Sequence, residues 1–68
     1  MQHIGKNIKA IREKQGSSLE DLARRLKIRK KTLATIEQMS NHTEVAIKRT
    51  AEALGLTVDD IINCKQRS

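Results

Sequence analysis

The sequence predicts an all-α fold built from five short helices. Apolar residues recur every three or four positions along most of the chain, which is the helical period, and no segment alternates as a half-buried strand does. The 68 residues include no proline, and glycine or helix-capping residues fall between the periodic segments. A chain of this length forms a single domain around one small core.

The first helix is predicted over residues 3–15. Ile4, Ile8 and Ile11 occupy positions i, i+4 and i+7, so they form one apolar stripe. Gly16 follows, and glycine commonly ends a helix because it adopts the left-handed conformation easily.

Two serines offer alternative starts for the second helix. Ser17 precedes Glu20 by three residues, which is the spacing of a capping box. Ser18 precedes Asp21 by the same interval, so both starts remain open. The inward positions of this helix are predicted to be Leu19, Leu22, Ala23 and Leu26.

The third helix is predicted over residues 30–38, with Leu33 and Ile36 directed inward. At about 100° per residue, the opposite side of the helix presents Lys31, Thr35 and Gln38. Ala34 lies beside these residues, and Lys30 lies at the margin, in the first turn. Glu37 falls at the edge of the apolar stripe, where a carboxylate normally has a partner, and Arg12 holds the matching edge of the first helix.

The fourth helix is predicted over about residues 44–54, after a polar loop, and stops at Gly55. Its inward residues are predicted to be Ile47, Thr50, Ala51 and Leu54. Thr57 and Asp60 form a capping box that opens a short fifth helix. That helix carries the apolar residues Val58, Ile61 and Ile62. The domain is predicted to span residues 1–63, followed by a polar tail at 64–68.

The charge balance favours a polyanionic partner. Fourteen lysines and arginines outnumber eight acidic residues, giving a net charge of +6. Six of the eight residues at positions 24–31 are basic, and this run lies at the turn between the second and third helices. Such a run can be a solvated face, but its position at the turn favours contacts with phosphates and bases. Two short helices joined by a tight basic turn are typical of a major-groove reader.

Other classes of function are disfavoured by the residues that are missing. The sequence has no aromatic residue, whereas proteins that bind single-stranded nucleic acid usually stack bases on aromatic rings. His3, His42 and Cys64 lack metal-ligand spacing, and no glycine-rich phosphate loop occurs, so we expect neither a cofactor nor catalysis. The lone thiol, the absence of a signal-peptide pattern and the lack of a membrane-spanning apolar run predict a cytoplasmic protein.

Four motifs carry a family resemblance between Ile4 and Ile62. They are I-G-K-x-I-K-x-I-R, S-L-E-D-L-A-x-x-L-K-I, T-L-x-x-I-E and A-x-A-L-G-L-T-V-D-D-I-I. Together they resemble the lambda-repressor/Cro-type helix-turn-helix regulators of bacteria and phages. The resemblance implies a compact five-helix domain whose third helix enters the major groove, usually as a dimer on a two-fold operator. It also implies a pair between an arginine of the first helix and the glutamate ending the third, here Arg12 and Glu37.

The resulting site prediction has three parts. Base contacts are expected from Lys30, Lys31, Ala34 and Thr35. Phosphate contacts are expected from Lys9, Arg12, Ser18, Arg29, Gln38, Asn41 and His42, although Arg12 is also expected in the structural pair. A dimer interface is expected from Val45, Leu56, Val58 and Ile62. Val45 lies off the inward stripe of its helix, so it is alternatively a stray exposed residue.

Several positions depart from the pattern of that family. Lys27 stands where glycine usually forms the turn, so a left-handed backbone there would cost roughly 1 kcal/mol relative to glycine. Arg29 replaces the usual Ser or Thr cap, Leu19 replaces a polar residue, and Met39 stands where glycine often closes the third helix. The loop at 39–43 is one residue shorter. These differences alter the phosphate contacts expected near position 19 and in the loop.

The run L-K-I-R, with A-T-I-E five residues later, also resembles the cytoplasmic domain of a bacterial rod-shape membrane protein, which docks on an actin-like filament. That family usually has tyrosine where this chain has Thr32. The favoured function is a repressor that binds double-stranded DNA as a homodimer, with no membrane contact. The alternative is a protein-interaction module, such as an antitoxin, and a toxin or anti-repressor is a candidate protein partner.

Overall fold

The computed structural model describes residues 3–63, and the predicted polar tail at 64–68 lies outside the described residues. Five helices follow one another along the chain: α1 (Ile4–Lys14), α2 (Leu19–Leu26), α3 (Lys30–Gln38), α4 (Glu44–Leu54) and α5 (Val58–Ile62). The predicted all-α, five-helix fold is confirmed, and the predicted boundaries agree within about one residue. No helix within residues 3–63 is long and apolar enough to cross a membrane.

Side-chain caps begin every described helix except α3. The capping residues are His3, Ser18, Thr43 and Thr57. Ser18 and Asp21 exchange both bonds of a capping box, so α2 begins at Ser18 and not at Ser17. Arg29 precedes α3 and makes no side-chain capping bond, because its guanidinium has no acceptor atom.

One aliphatic core joins the five helices. Its buried members are Ile4, Ile8, Leu22, Ala23, Leu33, Ile47, Ala51, Leu54 and Ile61. The largest fully buried side chains are Ile8, Leu22, Leu33 and Ile61, which come from four different helices. Ile36, predicted to face inward, is half-buried and packs against the edge of this core.

Asn7 is a buried polar residue that we did not single out from the sequence. It is 2% exposed, and its Nδ2 donates a hydrogen bond to the carbonyl oxygen of Ile61 at 2.8 Å. This bond joins α1 to α5. Asn7 lies three residues after Ile4 and four before Ile11, within the apolar stripe, and this spacing could have identified it as buried.

The start of α1 lies directly against the end of α3. The N–H of Ile4 donates to the carbonyl oxygen of Ser40 at 3.0 Å, and the N–H of Gly5 donates to that of Met39 at the same distance. Two N–H groups that have no partner within α1 are satisfied in this way. A β-carbon at Gly5 would collide with the carbonyl oxygens of Glu37 and Met39. The close contact between these two helix ends therefore requires glycine at position 5.

Lys27 ends α2 in the left-handed conformation, with φ 58° and ψ 40°. Within the described chain, the other two residues with positive φ are Gly16 and Gly55. The left-handed turn expected at position 27 is therefore formed by a lysine, at a cost of roughly 1 kcal/mol relative to glycine. The turn sets the path of the chain from α2 into α3.

Candidate nucleic-acid interface

The side of α3 that faces away from the core is a row of accessible side chains. Leu33 and Glu37 are buried on the inner side. Lys30, Lys31, Thr35 and Gln38 are exposed, and Ala34 is half-buried. The Thr35 hydroxyl donates to the carbonyl oxygen of Lys31 at 3.2 Å, so its oxygen lone pairs and methyl group are the parts available to a ligand.

The start of α3 combines four cations with backbone N–H groups that no side chain caps. The cations are Lys27, Arg29, Lys30 and Lys31, all exposed. Neither ion pair found within residues 3–63 includes any of them. The first turn of α3 also contains no carboxylate, so the positive end of the helix dipole is uncompensated. This combination attracts phosphate groups.

A cleft of about 440 Å³ lies where α1, α3 and the start of α2 meet. Lys6 and Lys9 line it from α1, Ala34 and Gln38 line it from α3, and Leu19 forms part of its wall. The structure thus brings together Lys9, Ala34 and Gln38, which we predicted as DNA contacts. Lys6 was not predicted. Its position three residues before Lys9, and so on the same side of α1, was a signal that could have found it.

Arg12 and Glu37 form an ion pair that lines this cleft. Arg12 Nε lies 2.7 Å from Glu37 Oε2, and Arg12 Nη2 lies 3.2 Å from Oε1. Arg12 Nη1 donates to the carbonyl oxygen of Ser17 at 3.0 Å. The two charged residues are 8% and 6% exposed. The hydrogen bond to Glu37 raises the pKa of Arg12 above its ordinary value, although burial acts in the opposite direction.

The expected structural pair is therefore present. All three nitrogen atoms of its guanidinium donate to groups inside the protein. These bonds use three of the five N–H donors of the guanidinium, so a phosphate in the cleft would have to bind the other two. Arg12 is assigned to the ion pair, and its phosphate contact stays a prediction.

His42 contacts the protein through one of its ring nitrogens, and its phosphate contact stays a prediction. Its Nε2 lies 3.0 Å from the carbonyl oxygen of Ile36 and 3.2 Å from that of Met39. Two acceptors at one nitrogen require that nitrogen to carry the proton. His42 therefore satisfies carbonyl groups at the end of α3, and this Nε2 is not available to phosphate. Asn41 is exposed beside it.

The start of α2 is a weaker anion site than the start of α3. The Ser18 hydroxyl oxygen accepts the N–H of Asp21 at 3.1 Å, and the Ser18 N–H donates to the Asp21 carboxylate at 3.3 Å. The Ser18 hydroxyl hydrogen can still be donated to a phosphate. The carboxylates of Glu20 and Asp21 stand nearby, however, and would repel an anion. Glu20 forms an ion pair with Arg24 at 3.3 Å, and Asp21 accepts the Ser18 N–H.

The residues predicted for the dimer interface lie in two separate places. Val45 is 69% exposed in the first turn of α4 and borders a groove that none of the other three lines. Those three, Leu56, Val58 and Ile62, come after the opposite end of α4. Val45 precedes Leu54 by nine residues, which is about 14 Å along the helix axis. Val45 is therefore separated from the other three residues by most of the length of α4, and the dimer interface stays a prediction.

Comparison with known families finds a match. The family model of the helix-turn-helix domain matches residues 5–67, a range that includes nearly all of α1 and the whole of α2 to α5. No curated protein and no solved structure matches the chain. The match agrees with the α2–turn–α3 arrangement and with the exposed outer side of α3 described above. The chain belongs to the helix-turn-helix domain family, in its XRE-like type.

Proposed function

We propose that this protein is a transcriptional regulator that binds duplex DNA sequence-specifically, with α3 in the major groove. The observation that carries the proposal is the start of α3, where Lys27, Arg29, Lys30 and Lys31 surround uncapped N–H groups. Family membership supports the same placement of α3. The second helix of a helix-turn-helix motif, which is α3 in this chain, lies in the major groove. The function is one of binding and involves no chemical step.

The accessible side chains fall into two groups, those that contact base edges and those that contact the phosphates of the DNA backbone. Lys30 and Lys31 can donate to the major-groove edge of guanine, and the Thr35 oxygen can accept from a base amino group. The Ala34 methyl group suits the methyl group of thymine. Phosphates are assigned to Lys6, Lys9, Arg29, Gln38 and the N–H groups that begin α3, with Ser18 and Asn41 at the margins.

Electrostatic attraction should dominate the affinity. If one domain neutralises about four to six phosphates, log K falls with log salt at a slope of about −4 to −5, since each phosphate contributes roughly −0.9. Fluorescence anisotropy with a duplex at several salt concentrations measures this slope. Affinity that hardly changes between low and moderate salt would contradict the proposed basic interface.

The decisive test is selection of bound sequences from a random duplex pool. Enrichment of a two-fold-symmetric site supports both sequence-specific binding and a dimer. A single α3 reads too few base pairs to specify one genomic site, and two copies on such a site would place their α3 helices about 34 Å apart. Recovery of unselected sequences only would reject a sequence-specific regulator.

Repression and a homodimer complete the proposal. Occupying a promoter is enough to exclude polymerase, so repression needs no surface beyond the DNA contacts. We propose that the dimer forms around Leu56, Val58 and Ile62, because Ile62 is 36% exposed and the other two are half-buried. Ile62→Glu should therefore reduce cooperative operator binding, whereas a Hill coefficient equal to that of the parent would place the dimer contact elsewhere.

A protein-docking module is the second candidate function. It is favoured by one observation, the exposure of Met39 and Val45 beside an apolar groove. Large apolar side chains grouped at a groove commonly mark a contact with another protein. The groove and the cleft beside α1 share no lining residue, so one chain can have both sites.

A further inference from the structure

A groove of about 430 Å³ lies between the end of α2, the end of α3 and the first half of α4. Its apolar lining consists of Leu26, Ile28, Ile36, Met39, Val45 and Ala46. Met39 is 50% exposed and Val45 is 69% exposed. Within residues 3–63, three large apolar side chains are exposed, and two of them border this groove. Apolar surface is therefore concentrated here and not scattered.

One rim of the groove is basic. Arg49 lines the groove and also an adjoining depression that contains Arg25 and Lys27. Glu52 is the one acidic residue lining that depression, so three cations face one carboxylate. Arg25 Nη1 donates to the carbonyl oxygen of Ala53 at 3.4 Å, which holds this arginine against α4. The groove thus joins an apolar floor to a positively charged edge.

We propose that this groove is the docking site for an acidic amphipathic helix of another protein. Such a helix would insert aliphatic side chains spaced at i, i+3 or i+4, and i+7, as other groove-binding helices do. Its carboxylates would face Arg25, Lys27 and Arg49, giving complementary charges across the contact. The flexible Met39 side chain can adapt to the shape of the inserted residues.

Charge and shape favour this occupant over two others. A second copy docking by two-fold symmetry would bring Arg25, Lys27 and Arg49 of both copies together, and the chain already carries a net charge of +6. A small molecule within the groove would leave much of Met39 and Val45 in water, because both are exposed at its border. A protein helix can cover the floor and the border together.

Docking at this groove should also interfere with the duplex. Asn41 lines the groove, and Lys27 belongs to both the basic rim and the start of α3. A bound acidic helix would neutralise Lys27 and screen the neighbouring cations, so we expect the helix and DNA to compete. This competition rests on the proposed function, whereas the docking itself does not.

The test uses a designed four-turn peptide with leucines at the three inserted positions and glutamates beside them, labelled for fluorescence anisotropy. One control peptide has lysine in place of glutamate, and a second has serine in place of leucine. At moderate salt we expect micromolar binding of the acidic peptide and binding at least about tenfold weaker for both controls. Equal binding of the lysine peptide, or no binding of the acidic peptide at millimolar concentration, would overturn the proposal.

Variants locate the contact. Val45→Asp and Arg49→Glu should each weaken peptide binding about tenfold or more, whereas Lys31→Ala, on the outer side of α3, should leave it unchanged. Val45 and Arg49 are exposed, so helix content should persist, and far-UV circular dichroism checks this. Amide chemical shifts of the parent protein give an independent map. Changes in chemical shift around Ile28 and Val45 when the peptide is added support the proposal. Changes confined to the outer side of α3 overturn it.

A final measurement adds a DNA duplex. Displacement of the duplex by the peptide from the parent protein, but not from Val45→Asp, supports competition. Simultaneous binding of peptide and duplex would reject the competition and leave the proposed docking site unaffected. A protein that binds the peptide but no duplex retains the docking site and loses the proposed function, so the two failures are distinguishable.

Discussion

Replacing Glu37 by alanine should destabilise the domain severely. Arg12 is 8% exposed, and its Nε and Nη2 would lose the carboxylate that they now contact at 2.7 and 3.2 Å. Removing one partner of a buried pair costs about 3–5 kcal/mol, because the remaining charge loses its counter-charge and is poorly hydrated. A domain of this size has a free energy of unfolding of roughly 3–10 kcal/mol. The substitution should therefore remove a large part of it.

The effect should be plain in thermal unfolding. Each kcal/mol corresponds to about 4–8 °C in Tm for a domain of this size, so we expect Glu37→Ala to melt at least about 12 °C below the parent. Far-UV circular dichroism is the suitable probe, because the chain has no aromatic residue to report by fluorescence. Urea unfolding of the same variant gives the free energy directly.

The exposed pair between Glu20 and Arg24 supplies a matched control. Its side chains are 65% and 74% exposed, and exposed pairs at this helical spacing contribute about 0.3–0.5 kcal/mol, so Glu20→Ala should melt close to the parent. The double variant Arg12→Ala/Glu37→Ala should lose less than the sum of its single variants, since no buried charge remains. Glu37→Ala melting like Glu20→Ala, or additive losses in the cycle, would refute the reasoning.

Three further outcomes are expected. Lys31→Ala and Thr35→Ala should each reduce the preference for the specific duplex by roughly 1–3 kcal/mol, whereas Lys9→Ala should lower the affinity for all duplexes about equally. Fluorescence anisotropy with specific and random duplexes separates these effects. Parallel losses of affinity for both duplexes in all three variants would contradict the assigned roles. Lys27→Gly should raise the free energy of unfolding in urea by about 1 kcal/mol, and no gain would mean that the left-handed backbone carries no strain. Gly5→Ala should lower Tm sharply, because its methyl group meets backbone carbonyls at the end of α3; an unchanged Tm would contradict that close contact.

The helices and the turn could be predicted because they depend on neighbouring residues. The capping box of Thr57 and Asp60 and the stop at Gly55 act over a few positions and need no knowledge of the fold. Placing Arg12 opposite Glu37 required only the inward direction of two helices and a family resemblance. Long, regular patterns of this kind survive tertiary packing, which explains their agreement with the structure.

The roles of Asn7 and His42 depended on the tertiary path of the chain. The spacing of the apolar stripe can indicate that Asn7 is buried, but the partner of its amide, the carbonyl of Ile61, is 54 positions away in the sequence. His42 turns toward the end of α3 because the loop at 39–43 brings its ring beside two carbonyl oxygens. The groove beside Val45 likewise exists only after three helices have packed. No pattern along the chain contains these distances.

The two-sided character of α3 has a consequence for how this protein can evolve. Leu33 and Glu37 anchor the helix from one side, and the outward residues contribute no side chain to the buried core. Positions 30, 31, 34 and 35 can therefore change with little effect on folding. A duplicated copy could acquire a new target sequence through a few substitutions at these positions, without first acquiring compensating changes in the core. A library randomised there should yield mostly folded proteins with different target preferences.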